Sequence, residues 1–311
     1  MDACNIEKGP PMRRCIPFAI SVILFLFPAF SDARVVTDEV GREVTVTDRP
    51  TRIVSLAPNI TETLFALGCD DEIVGVTVHC NYPEAALSKE CVGDLIHPSL
   101  EKIVSLEPDL VICTADGNRK ETAVLLEKMG VPVYVVNPRT LREIIDMILH
   151  IGIMTGKEHE AVDLAESLGK RIERVAQRAG PLPKPRVFFQ FGTEGLITAG
   201  RGTFINELIS CAGGVNIAGD ASIRYPRFSI EEIVDQGPDF IFVTSMKNNE
   251  SPARAKASWQ RWHIIPAVRY NKIYLIDSDY LTRPSPRIID GLEHLFRIMH
   301  PDGTTGVVID K

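Results

Sequence analysis

Two glutamates occupy matching places in a phrase that the chain states twice. SLEKIVSLEPDLVI runs from Ser99 to Ile112, and SIEEIVDQGPDFIF runs from Ser229 to Phe242, 130 positions later. Serine, glutamate, isoleucine, valine, proline and aspartate recur in register, which makes Glu101 and Glu231 equivalent. An unplaced glutamate on a short helix is a solvated charge whose ion pairs contribute only about 0–1 kcal/mol. Duplication sets this pair apart. Other chemistry is sparse: there is no G-x-x-x-x-G-K-[ST] phosphate loop, no G-x-S-x-G elbow, no H-E-x-x-H and no C-x-x-C. The seven histidines (His79, His97, His150, His159, His263, His294 and His300) are scattered. They form no His-rich loop of the kind that gathers zinc.

The 34 basic and 41 acidic residues leave a net charge of −7 with no long basic run, which gives no electrostatic reason to bind nucleic acid or an anionic membrane. At 311 residues the chain is long enough for one large domain or two modest lobes. The N-terminus differs in kind. Arg13 and Arg14 precede an apolar run from Ile16 to Phe27, and small residues follow at Ala29, Ser31 and Ala33. That pattern predicts a cleavable signal peptide over residues 1–33, with Met12 an alternative start, and a mature protein exported to the periplasm. The apolar run is short for a membrane span, and Cys15 stands before it instead of at a lipid-attachment site. The mature chain keeps Cys69, Cys80, Cys91, Cys113 and Cys211. An oxidising compartment would allow Cys80 and Cys91, which bracket the loop NYPEAALSKE, to pair. The other three sit in apolar settings and read as small core residues.

Elements that position these residues follow from periodicity. DEVGREVTV alternates like an edge strand. RIVSL, IVGV, DLVICT and VPVYVV are short apolar strands separated by helical segments, which implies a parallel α/β sheet over residues 34–140. From 141 to 180 the pattern is helical without a proline, and one long helix bent near Thr155-Gly156 is the expectation. After GPLPKP the alternation restarts as RVFFQF, FINELISCAG, SIEEIVDQ, DFIFVTS, SWQRWHII, KIYLID and SPRIIDGLEHLFRIM, a second α/β lobe over 181–302. Residues 303–311 read as a flexible tail. The predicted architecture is two similar Rossmann-like α/β lobes with parallel sheets, joined by one rigid helix, with a ligand cleft between them.

RIVSLAPNITETLFALG, VGVT with CNYPEA, SLEKIVSLEPDLVI, FQFG, TFINELISCAGGVNI, YPRFSIEEI and SPRIIDGLEHL together resemble, in order and spacing, the substrate-binding proteins of ABC importers. The class is the one that serves cobalamin, ferric siderophores and haem, and the strings are most similar to its cobalamin-binding members. The likeness runs from about Arg52 to His300. It implies that Glu101 and Glu231 dock onto arginines of a membrane permease, where two matched carboxylates orient a carrier across a two-fold partner. It also implies a corrinoid carried as cargo, no cofactor of the protein's own, no catalysis, and partnership with a permease and its ATPase subunits. The carrier itself would be a monomer.

The same resemblance implies the ligand contacts: His79, Leu95 and Thr114 from the first lobe, and Phe191, Ile197 and Tyr225 from the second. Asp279, Tyr280, Leu281, Thr282 and Arg283 would form a loop against the cargo's polar periphery. His79 is also the candidate for an axial ligand to the bound chelate's metal. TAGRGT, from Thr198 to Thr203, is expected to approach the cargo through its glycines. Leu95 and Thr114 stand where the family has aromatics, and the family cysteine that pairs with the Cys211 position is replaced near Phe296. A haem or siderophore carrier is the alternative, with Tyr225 or His79 on iron, or Arg201, Arg224, Arg227 and Arg283 around an anion. An α/β metal-chelatase-like enzyme is the alternative of another class.

Overall fold

The computed structural model describes Met1 and residues 33–193, 195–245 and 251–301. Apart from Met1 and Ala33, the expected signal peptide lies outside the described residues, as does the expected tail. The chain enters through an antiparallel ribbon of β1 (Ala33–Thr37) and β2 (Glu43–Thr47). Sequence alternation suggested a single edge strand here. The difference is a turn at Asp38, whose buried carboxylate accepts from the backbone N–H groups of Val40 and Arg42 at 3.1 and 2.8 Å.

Short apolar runs then become strands buried on both faces, as a parallel sheet covered by helices requires. In the first lobe these are β3 (Ile53–Ser55), β4 (Ile73–Val76), β5 (Glu90–Cys91), β6 (Leu110–Thr114) and β7 (Val133–Val136), in the order β5-β4-β3-β6-β7. Helices α1 (Pro58–Ala66), α2 (Leu100–Ser105) and α3 (Lys120–Lys128) alternate with them. Two helices, α4 (Leu141–Thr155) and α5 (Glu158–Ala179), lead to the second lobe. Its strands β8 (Arg186–Phe191), β9 (Val215–Asn216), β10 (Phe240–Ser245) and β11 (Ile273–Asp277) are also parallel, in the order β11-β10-β8-β9. Its helices are α6 (Phe204–Cys211), α7 (Ile230–Gln236), α8 (Pro252–Trp259), α9 (Pro266–Arg269), α10 (Ser278–Leu281) and α11 (Ile288–Met299). The order β4-β3-β6-β7 of one lobe is the order β9-β8-β10-β11 of the other. Register matches too: Ile53 pairs with Leu110 as Val187 pairs with Phe240, and Val111 with Val133 as Ile241 with Ile273.

The repeated phrase now has a physical basis. Ser99 and Ser229 cap α2 and α7, accepting from the N–H groups of Lys102 at 3.3 Å and Glu232 at 3.2 Å. Ile103 and Ile233 are fully buried beneath them. Asp109 accepts from the N–H of Arg52, and Asp239 from that of Arg186, which ties each helix–strand turn to the first strand of its lobe. The same two arginines donate from Nε to the last carbonyls of the helices, at Leu106 and Gln236.

The one long linking helix is corrected to two. Gly156 adopts φ +70°, a left-handed conformation that ends α4, and the N–H of Lys157 turns back to the carbonyl of Gly152 at 2.8 Å. The bend expected near Thr155-Gly156 is thus a complete break between two helices. Both helices serve the junction between lobes: α4 packs on α1 and α6, and α5 on α6 and α11. One continuous apolar core results, running from Ile53 and Leu64 through Met147 and Leu168 to Phe189, Leu208 and Leu292. Two smaller cores lie under the outer helices of each lobe.

Gly152 marks the tightest point of the helix pair, because a Cβ there would stand 2.3 Å from that of Ala161. Alanine would gain about 1 kcal/mol of helix propensity. The forced separation should outweigh it. Gly152→Ala is expected to lower stability by about 1–3 kcal/mol, read as an earlier urea midpoint at unchanged slope; an unmoved midpoint would show that α4 and α5 are not packed this closely.

Candidate binding cleft between the lobes

Loops at the carboxyl ends of β3, β4, β6, β7, β8 and β11 converge on one cavity of about 1120 Å³. That is where parallel α/β sheets place their ligands, and the volume exceeds the range of roughly 300–1000 Å³ usual for drug-sized molecules. Leu95, Thr114 and His79 line it from the first lobe, and Phe191, Ile197 and Tyr225 from the second. Phe191 and Tyr225 meet edge to face, with ring centroids 5.8 Å apart. Partial burial raises the Tyr225 phenol above its usual pKa, with the Asp116 carboxylate adding to the effect and Arg224 and Arg139 opposing it. Leu95 and Tyr225 are themselves equivalent by the 130-residue repeat, each four positions before a helix-capping serine.

Of the expected polar loop, Asp279, Thr282 and Arg283 line the cavity. Tyr280 and Leu281 do not. Leu281 is fully buried in the shared core, and the Tyr280 ring lies under the Arg287 guanidinium at 5.4 Å. This correction has a simple cause: the segment is a helical turn, α10, so its side chains point to different sides. Arg283 is also corrected in role. Its guanidinium donates to Glu62 at 2.9 Å and Asn81 at 2.7 Å and pairs with Asp279 at 2.7 Å, so it spans the lobes instead of reaching freely for cargo. Burial is the leading influence on Asp279 and pushes its carboxyl pKa up, with Arg283 pulling it back.

The TAGRGT loop is corrected as well. The close approach at Gly200 is to the chain's own backbone, since a Cβ there would lie 2.9 Å from the carbonyl of Ile223. Arg201 pairs with Asp220 at 3.0 Å and does not line the cavity. Cys80 and Cys91 are both free thiols. The Cys80 sulfur is buried against the hydroxyls of Thr61 and Thr77, at 3.1 and 3.3 Å, while the Cys91 thiol turns to the carbonyl of Gly93. Cys211 is likewise free, and burial pushes its thiol up to about 11 and that of Cys113 up to about 12.

Glu62 went unremarked in the sequence and organises the junction. It is 3% exposed, on α1 of the first lobe, and all its partners come from the second. Ser285 donates to it at 2.5 Å, Arg283 at 2.9 Å, and Arg287 at 3.0 and 2.5 Å. Arg287 also stacks on Tyr82, its guanidinium carbon 3.8 Å from the ring centroid. A signal existed: Glu62 is the only charged residue of α1, and RPSPR downstream supplies the cations. Asn81, Asp116 and Asn137 also line the cavity and were missed, although their places just after β4, β6 and β7 fit the rule for parallel sheets.

Glu101 and Glu231 are exposed second residues of α2 and α7. Among the described residues neither forms an ion pair. Each lies six positions after a cavity-lining residue, Leu95 or Tyr225. Helices that return along a parallel sheet run against the strands, which puts these helix N-termini on the cleft side of their lobes. Among the described residues, no three His, Cys, Asp or Glu side chains are grouped to hold a metal ion.

Two α/β lobes repeating one topology, with a large cavity at their seam, have the layout of a cleft-type solute-binding protein. The chain belongs to the periplasmic binding protein family, which it matches over residues 53–280. It is 31% identical over 78% of its length, and 87% of the relative's, to the vitamin B12-binding protein of Vibrio cholerae serotype O1. The crystal structure of the periplasmic vitamin B12 binding protein of Vibrio cholerae superimposes with a TM-score of 0.71 at 29% identity, covering 82% of this chain and 99% of that one. An uncharacterized ABC transporter substrate-binding lipoprotein of Bacillus subtilis (strain 168) is 32% identical over 86% of this chain and 85% of its own. The periplasmic heme-binding protein RhuT from Roseiflexus sp. RS-1 is similar at a TM-score of 0.69 and 28% identity, over 81% and 99% of the two chains.

Replacing Glu62 by alanine would strip Arg287 of its carboxylate partner and leave Arg283 with Asp279 alone. Stability is expected to fall by about 3–5 kcal/mol, the usual cost of breaking a buried pair from one side. Glutamine, which keeps the acceptor, should cost less. Equilibrium unfolding of both variants checks this, and equal stability of Glu62→Ala and the parent would remove Glu62 from its place at the junction.

Proposed function

We propose that this protein is an exported carrier that holds a corrinoid between its lobes and delivers it to an ABC permease without covalent chemistry. The observation that carries the reading is the cavity: large enough for a macrocyclic cofactor, walled by Leu95, Phe191, Ile197 and Tyr225, and shared by both lobes. The kinship with B12-binding proteins supports the same cargo. Apolar walls would hold the macrocycle, and Asp279, Asn81 and Asn137 would meet its polar edge. The protein needs no cofactor of its own, works as a monomer in the periplasm, and meets the membrane only through the permease. Haem is the second reading. It is favoured by the phenol of Tyr225 and the imidazole of His79, both on the cavity wall, and by the resemblance to a heme-binding protein.

Purified mature protein titrated separately with cobalamin, cobinamide, haem and a ferric siderophore, by calorimetry and visible spectra, separates these readings. Corrinoid binding is expected; tight binding of haem or siderophore alone would refute it, and turnover of any of them would overturn the carrier role. Glu101 and Glu231 are proposed as the permease contacts, one per lobe. Glu101→Lys with Glu231→Lys should abolish uptake into cells while cargo affinity stays within about threefold, a change below 1 kcal/mol. Uptake at the parental rate would sink this docking assignment, and joint loss of uptake and capture would make the pair structural.

A further inference from the structure

Ionised groups are distributed unevenly inside the cavity. Asp116, Asp277 and Asp279 line it, whereas Arg283 is the only arginine or lysine among its described lining residues and is already shared by Glu62 and Asp279. Two more arginines stand at the rim, where both act on the Tyr225 phenol. Of these, Arg224 reaches across the cleft to Asp116 at 3.1 Å, and neither it nor Arg139 lines the interior. Asn137 also lines the cavity, its backbone N–H held by Glu39 at 2.6 Å. Asp277 is exposed to the cavity and uses one oxygen to cap the N–H of Asp279 at 3.0 Å.

Asp116 and Asp279 are thus each paired with an arginine, Asp277 has no ion-pair partner among the described residues, and the described lining holds no arginine or lysine free of a carboxylate. A primary carboxamide offers two N–H donors to such a surface, whereas a carboxylate offers only acceptors, carries the same charge as Asp277 and would compete with Asp116 and Asp279 for their arginines. Bringing like charges together in a cleft from which water is displaced is the standard way to reject a wrong ligand. Resting on the corrinoid reading, we propose that Asp116, Asp277, Asp279 and Asn137 make this a carboxamide-selecting cavity. It accepts macrocycles whose peripheral acid chains have been amidated and excludes the same macrocycle with free carboxylates. The carrier would thereby pass finished cargo and refuse incompletely amidated precursors.

The test compares dicyano-cobinamide, whose peripheral chains are amides, with dicyano-cobyrinic acid, whose chains are carboxylates, by calorimetry at pH 7.5 and in about 0.5 M salt. At that ionic strength long-range repulsion from the net charge of −7 is screened, and contacts inside the cleft persist. Cobyrinic acid is expected to bind at least about 100-fold more weakly, and the gap should narrow about tenfold in the Asp116→Asn and Asp277→Asn double variant, with folding checked by circular dichroism. Equal affinities within about threefold would overturn the proposal while leaving the corrinoid reading intact, as would a gap that the double variant leaves unchanged. Failure of both corrinoids, with haem or a siderophore binding instead, would overturn both readings.

Discussion

A carboxylate cannot stay ionised inside a protein without partners, and Glu62 has found all of its partners on the other lobe. Desolvating the group costs several kcal/mol, which only well-placed guanidinium and hydroxyl donors can offset. Arg283, Ser285 and Arg287 do so at 2.5 to 3.0 Å. Such a cluster tolerates little displacement, because any separation leaves buried charge unpaired. With the continuous apolar core through α4, α5, α6 and α11, it fixes how far apart the two walls of the cavity stand. The size and shape of the binding space are therefore set from behind, by the junction, and only its chemistry is set by the lining loops.

Duplication provides the second layer of order. In each half a serine caps the helix, an isoleucine fills the core beneath it, and an aspartate ties the following strand to the first strand of the lobe. These contacts explain why most of the repeated phrase must be conserved between the halves of one molecule. They do not account for the glutamates, which contribute little to folding beyond a favourable position at a helix N-terminus. Among the described residues neither glutamate forms an ion pair, and this is what supports proposing Glu101 and Glu231 as contacts to a two-fold permease.

Much of this was legible in the sequence because it depends on local pattern. Short apolar runs alternating with amphipathic helices gave two parallel sheets, and the repeat located equivalent positions as far as Leu95 and Tyr225. Legibility ended where tertiary contacts decide. A bend near Thr155-Gly156 was legible, but its becoming the end of α4 depends on the left-handed backbone of Gly156, which sequence does not specify. Arg283 lines the cavity, yet Glu62, 221 residues away in sequence, claims its guanidinium, a contact that no local pattern announces. Gly200 was rightly read as a point of close approach, but to the wrong neighbour. Cys80 and Cys91 are near in sequence and turned to different partners, something spacing cannot reveal.

An interior shared by two halves has a mechanical consequence. In hinged carriers, empty and loaded shapes differ and the protein's own elasticity helps to expel what it holds. Here the halves are joined by hydrocarbon and by a buried carboxylate, so any opening of the cavity would have to break the Glu62 contacts or strip the shared core. Separating the walls would therefore cost the desolvation of that carboxylate as well as the exposed hydrocarbon, a cost that falls on whatever pulls the lobes apart.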